Sequence, residues 1–200
     1  PISGLGITLP LTTIIMAFGM LVGLGAATLI SIKLGEGNKD YAEKILGQSV
    51  VLNIIISLIV SSIGLVFLTP ILNIFGATGD NLFYAKEYIS IILAGCVFQN
   101  LGFGINNSIR SEGNPKIAMR TMLVGALLNI ILDPIFIFDS IFNIKIGLGL
   151  GIKGAAIATI ISATANTALV FHYFTSKNSG SVLKIRKRNL KLTFKTRSEE

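Results

Sequence analysis

The stretch Leu127-Leu-Asn-Ile-Ile-Leu-Asp-Pro-Ile-Phe-Ile-Phe138 is apolar almost throughout, yet an acid and a proline, Asp133 and Pro134, stand together inside it. The run is long enough to lie in a membrane, where an ionised carboxylate costs several kcal/mol, roughly 2.5 to 3.5 on insertion scales. Such an acid is expected to face a water-filled cavity or a partner, and to carry protons, ions or substrate. Pro134 has no N–H to give to the Ile130 carbonyl, so a polar backbone group is freed one turn from the acid. Asn129 precedes Asp133 by four residues and shares its helical face. A bent helix with an amide and a carboxylate stacked on one side is a candidate site for H+, Na+ or a solute.

The rest of the chain is the solvent-matched frame for that stretch. It is 52% hydrophobic and 14% charged, with a mean hydropathy of +0.74, whereas a soluble domain carries roughly 25% charged residues. Residues 1–32, 45–79, 88–109 and 121–132 hold no charge, and 154–176 hold only His172. Compared with the roughly 20 residues that cross a bilayer, these gaps predict five spans at about 5–32, 46–68, 87–109, 119–138 and 154–175. The fold expected is an all-α polytopic membrane protein, with a helical bundle over 1–176 and a basic segment over 177–200. Five spans put the two ends of the chain on opposite sides.

Lys and Arg set the orientation. The loops 33–44 and 110–120 and the tail from 177 hold three, three and eight basic residues, against Lys86, Lys145 and Lys153 on the other side. The basic side is therefore expected to be cytoplasmic, and it accounts for the net charge of +7. The tail Lys184-Ile-Arg-Lys-Arg-Asn-Leu-Lys191 lies against the membrane, which makes anionic lipid rather than nucleic acid its expected partner.

Pro1 is not a start residue and no charged n-region precedes the first apolar run, so a fragment is expected and a signal peptide is not. Cys96 is the one cysteine, which excludes an internal disulfide, and one His with no Cys/His cluster gives no metal site. No Gly-x-Ser-x-Gly, no His beside Asp or Cys and no paired carboxylates within a span are present, so an enzyme is not expected.

The two basic loops echo one another. Ser31-Ile-Lys-Leu-Gly-Glu-Gly-Asn38 parallels Ser108-Ile-Arg-Ser-Glu-Gly-Asn114 with one residue deleted, and Leu52-Asn-Ile-Ile55 matches Leu128-Asn-Ile-Ile131. Glu36 to Glu112, Lys44 to Arg120 and Asn53 to Asn129 are each 76 residues apart. Duplication of a helix-loop-helix unit explains the common offset; convergence of short turns on Gly, Asn and charge is the other reading. The first copy keeps Asn53 but has Ser57 where Asp133 would fall. Glycine after a helix end and Pro115 in a first turn suit tight turns, with a gating movement as the functional alternative.

Small residues at one-face spacing, Gly19-xxx-Gly23 and Gly154-xxx-Ala158-xxx-Ser162, predict close helix packing. Pro10 and Pro134 are expected to bend their helices and Pro70 to end one. Gln99 and Asn106 share a face of the third span, with Arg110 a turn further on; Thr159, Ser162 and Asn166 share a face of the last. Thr159 and Ser162 can bond their own backbone. Thr159, Asn166, Gln99 and Asn106 are thus candidate cavity residues, and Asn129 and Asp133 the candidate cation or proton site. His172 is expected at the interface.

Four ordered motifs resemble the multidrug and toxic compound extrusion (MATE) transporters: Leu34-Gly-Glu-Gly-Asn38, Arg110-Ser-Glu-Gly-Asn-Pro-Lys116, Gly125-Ala-Leu-Leu-Asn-Ile-Ile-Leu-Asp-Pro134 and Gly154-Ala-Ala-Ile-Ala-Thr159. The resemblance implies helices two to six of the amino-terminal six-helix lobe, plus the linker toward a second lobe. It implies an exporter of organic, often cationic and lipophilic, small molecules driven by inward H+ or Na+, with no cofactor. Asn129 and Asp133 would match the family's polar pair on the fifth helix, with Thr159 beside them on the sixth. The family's further acid lies on a first helix that this sequence does not include. A lipid-linked oligosaccharide flippase of related architecture and a non-transporting membrane assembly protein are the alternatives. The flippase would carry basic residues inside its cavity, and the assembly protein would pair Asp133 with a basic partner.

Overall fold

A computed structural model describes residues 2–139, 147–176 and 179–190; Pro1, Lys145, Lys177 and the tail residues 191–200 lie outside the described residues. Within them the chain forms α1 (Ile2–Gly35), α2 (Lys39–Val66), α3 (Leu68–Ile74), α4 (Gly79–Ser111), α5 (Pro115–Ile137), α6 (Ile152–Thr175) and a 3-10 turn at Lys187–Leu190. Five helices are long and apolar enough to cross a membrane: Gly6–Gly35, Lys39–Val66, Asn81–Ser111, Pro115–Ile137 and Ile152–Thr175. The all-α polytopic architecture is as expected.

Two boundaries differ from the charge-gap reading. Charged residues belong to the helix ends, so α2 starts at Lys39, its backbone capped by Asn38, whose Oδ1 accepts from Tyr41 N at 3.1 Å. The second span also stops at Val66 rather than 68, and a short helix, α3, follows it. Pro70 supplies the cause. It cannot donate to the Val66 carbonyl four residues back, which ends α2, but it fits the first turn of a new helix. Pro10 and Pro134 end nothing; both lie inside their helices.

The echoing loops fold alike. Asn38 N donates to Lys33 O at 2.9 Å and Gly37 N to Leu34 O at 3.0 Å; Asn114 N donates to Ile109 O at 3.1 Å and Gly113 N to Arg110 O at 3.1 Å. Each is a Schellman closure, with φ of 75° at Gly37 and 94° at Gly113. The next helix then begins with Ala42 N on Asn38 O and Ala118 N on Asn114 O.

Helix α4 is the centre, packed by α1, α2 and α6, while α5 lies mainly on α6. Glycine sets the α1–α4 approach. A Cβ on Gly23 would lie 2.5 Å from Gly104 Cα, and one on Gly19 would lie 2.7 Å from the Asn100 side chain. Gly154 likewise abuts the Phe136 carbonyl, so the small-residue rows pack helices as read. In lipid there is no hydrophobic force between helices, so such close van der Waals contact carries the association. The outer faces are apolar; Leu21, Leu24, Leu58, Ile59, Leu127 and Ile130 are all exposed.

The chain returns over the end of α5. Leu148 N, Leu150 N, Gly151 N and Gly149 N donate to the carbonyls of Ile135, Phe136, Ile137 and Phe138 at 2.9, 3.0, 3.1 and 3.1 Å. These satisfy acceptors that a helix terminus otherwise leaves open. At the opposite end, residues 179–190 form a strap on the bundle rather than a free tail. Glu112 Oε2 accepts from Ser181 Oγ at 2.9 Å and Leu183 N at 3.1 Å, and Arg186 Nε meets Glu43 Oε2 at 3.0 Å. Leu183 is fully buried in the core with Leu46, Ile109 and Phe174.

Candidate functional site

Helices α4, α5 and α6 form a partly open cavity of about 230 Å³ lined by Gln99, Phe103, Met122, Gly125, Ala126, Asn129, Thr159, Ser162, Ala163 and Asn166. Helical spacing builds it. Thr159, Ser162 and Asn166 fall on one stripe of α6, Met122, Ala126 and Asn129 on one stripe of α5, and Gln99 with Phe103 on α4. Gly125 admits the polar stripe of α6, since a Cβ there would lie 3.2 Å from Asn166 Cβ.

Asn129 Nδ2 donates to Asp133 Oδ1 at 3.1 Å, so the amide and the carboxylate do stack on one face of α5. Asn129 lines the cavity; Asp133, half-buried, is not among the lining residues and is joined to them through the Asn129 amide. No ion pair joins Asp133 to a Lys or Arg among the described residues. Thr159 Oγ1 donates to Ala155 O at 2.9 Å, the self-satisfied use open to a helical threonine.

Four of the predicted residues, Asn129, Thr159, Gln99 and Asn166, therefore meet at one cavity. Asn106 does not. It is buried where α4 crosses α5, its Nδ2 donating to Ala118 O at 3.0 Å and Thr121 Oγ1 at 2.8 Å. The α5 backbone closes over α4 at that level, which turns a residue in register with Gln99 into an interhelical tie. Arg110, a turn further, donates from Nη2 to Met122 Sδ at 3.1 Å. Pro134 follows Asp133 inside α5.

Sequence reasoning missed Tyr88. Its hydroxyl comes within interacting reach of Thr159 and Asp133, so α4 adds a fourth polar group beside Asp133, Asn129 and Thr159. The signal existed: Tyr88 and Gln99 are eleven residues apart, three helical turns, hence on one face. It also missed Ser162 as a cavity group. Just beyond Tyr88's end of the bundle, Lys153 Nζ pairs with Glu87 Oε1 at 2.8 Å and ties α6 to α4. The first-copy pair behaves differently from the second. Asn53 and Ser57 are buried, and Ser57 Oγ accepts from Asn100 Nδ2 at 3.0 Å while its carbonyl accepts from Cys96 Sγ at 3.4 Å. Asn53 and Ser57 thus serve packing, whereas Asn129 lines the cavity.

The residues carry no metal constellation: among the described ones, no group of three or more His, Cys, Asp or Glu could hold an ion. Asp133 with Asn129, Thr159 and Tyr88 instead offers one charge and several neutral oxygens, a donor set that suits a proton or a single monovalent cation.

Known proteins resemble this chain in sequence and fold. A family model described as MatE matches residues 1–135. The multidrug export protein MepA of Staphylococcus haemolyticus is 37% identical over 179 residues, covering 88% of this chain and 37% of that protein. Two solved structures, described as inward-facing and outward-facing conformations of a multidrug resistance MATE family transporter of the MOP superfamily, each match with a TM-score of 0.86. Each is 27% identical, covering 96% of this chain and 41% of the other. The chain thus spans about two fifths of the proteins it matches. It belongs to the multidrug and toxic compound extrusion (MATE) family.

Proposed function

We propose that this chain is most of one six-helix lobe of a multi-pass exporter in the cell membrane. The exporter expels organic, often cationic and lipophilic, compounds in exchange for H+ or Na+. A further helix and a second lobe complete it, reached through the segment after α6. The coupling ion binds at Asp133 and Asn129, with Thr159 and Tyr88 as neighbours. The observation that carries this reading is a half-buried carboxylate within an apolar helix, with no cationic partner among the described residues and an amide donor that itself lines a cavity. An acid so placed is retained for transport rather than stability, because its burial costs energy.

The equal similarity to inward- and outward-facing relatives supports a lobe that moves as a unit. Ion binding at Asp133 would then act on the cavity wall through Asn129 and the Pro134 turn. The basic loops 33–44 and 110–120 and the tail 177–200 face the cytoplasm and anionic lipid. A lipid-linked oligosaccharide flippase is disfavoured because none of the cavity-lining residues is charged.

The test is efflux of a cationic dye from cells expressing the full-length protein with Asp133→Asn. Loss of concentrative efflux with normal protein level is expected. Efflux equal to that of the unsubstituted protein overturns the assignment.

A further inference from the structure

The first turn of α6 touches both helices that carry the rest of the coupling-ion site. Lys153 Nζ pairs with Glu87 Oε1 of α4 at 2.8 Å, and Glu87 directly precedes Tyr88. Gly154, the next residue of α6, abuts the Phe136 carbonyl of α5, three residues past Asp133. Thr159 stands less than two turns further along α6. Between them Ala156 is fully buried in one core cluster with Ala85 and Ile89, so α4 and α6 pack closely at this level. The ion pair is placed against two costs. A lysine in a first turn sits at the positive end of the helix dipole, and the Glu87 side chain is only 20% exposed, so its charge is partly stripped of water. Each partner offsets the cost of the other, which favours the closed pair over two separate, solvated charges.

We propose that Glu87 and Lys153 are positioning residues for the coupling-ion site, a clamp that fixes α4 against α6 and so holds the Tyr88 hydroxyl between Thr159 and Asp133. Neither residue touches the ion. Gly154 holds α6 against α5 from the neighbouring position, so a single helical turn sets all three elements of the site. When the clamp opens, α4 can turn or slide on α6, and Tyr88 moves with the backbone of Glu87. The bond from Asn129 Nδ2 to Asp133 Oδ1 lies within α5 and is untouched. The ion therefore still binds and still couples, but with one neighbour fewer. Loss of the clamp falls on affinity for the driving ion rather than on the rate at saturating ion.

This inference rests on the reading of Asp133 as the coupling site. The test follows dye accumulation in vesicles holding the full-length protein, against the concentration of the driving ion, H+ or Na+. Lys153→Met and Glu87→Gln should each raise the half-saturating concentration by roughly two- to fivefold, up to the loss of one hydrogen bond, with the maximal rate kept within about twofold. Exchanging the charges, Glu87→Lys with Lys153→Glu, should restore the unsubstituted value. In a Tyr88→Phe background Lys153→Met should add less than about twofold, because the contact it positions is already gone. A direct effect of charge on the ion would have opposite signs: losing Lys153 would tighten cation binding and losing Glu87 would weaken it. Opposite signs, no shift in either variant, or the full effect persisting in Tyr88→Phe overturns the proposal. Asp133→Asn, measured alongside, separates the two readings. Coupling that survives it removes the site and the clamp together, whereas coupling lost there with no shift in the pair variants rejects the clamp alone.

Discussion

Arg186→Ala should free the strap, and the size of the effect follows from the burial of its partner. The Glu43 side chain is 1% exposed and the Arg186 side chain 52% exposed, with 3.0 Å between them. Glu43 Oε1 has no hydrogen-bond partner among the described residues, so removing Arg186 from Oε2 leaves the buried carboxylate uncompensated there. Fully exposed pairs contribute about 0 to 1 kcal/mol and breaking a fully buried one costs about 3 to 5. This half-exposed pair lies between, at about 2 kcal/mol. A factor of ten is about 1.4 kcal/mol, so the open strap becomes roughly thirtyfold more populated. Leu183 is fully buried beneath the strap, which makes Leu183→Cys a reporter of opening. In a Cys96→Ala background, Arg186→Ala should speed thiol labelling at position 183 by that factor. Adding Glu43→Gln, which removes the stranded charge, should recover most of the protection. Labelling within twofold of the Arg186 protein would refute the reasoning, as would a double variant no better than the single one.

Two further outcomes follow from the packing and the site. Gly23→Ala places a methyl against the Gly104 backbone, which cannot yield as a side chain would; it should destabilise the full-length protein by about 1 to 3 kcal/mol in thermal unfolding, and an unchanged midpoint would contradict the α1–α4 contact. Tyr88→Phe removes the hydroxyl beside Thr159 and Asp133 and, at about 1 kcal/mol per hydrogen bond, should weaken half-saturation by the coupling ion roughly fivefold without altering the unfolding midpoint.

Periodicity and charge made the helices legible. Charge gaps located five spans because hydrocarbon tolerates few charges, and Asn129 with Asp133 was readable because four residues make one helical turn. Helix ends were less so: Lys39, Asp40 and Glu43 are charged yet helical, since the interface admits them. Asn106 was misplaced because its register with Gln99 says nothing of α5 closing over it. Tyr88 was in register too, but a tyrosine at a membrane interface attracts no notice until Asp133 and Thr159 come to it from other helices. The strap was hidden for a different reason. Its grip comes from Glu43 and Glu112, each far from it in sequence, so a run of Lys and Arg read as a linker lying against lipid.

The most direct test of the central claim reconstitutes the full-length protein in vesicles and imposes H+ and Na+ gradients separately while following accumulation of a cationic dye. One gradient should drive accumulation by the unsubstituted protein, and Asp133→Asn should abolish that accumulation while still passing dye down its own gradient. Gradient-driven accumulation that survives in Asp133→Asn would contradict the assignment of the coupling site.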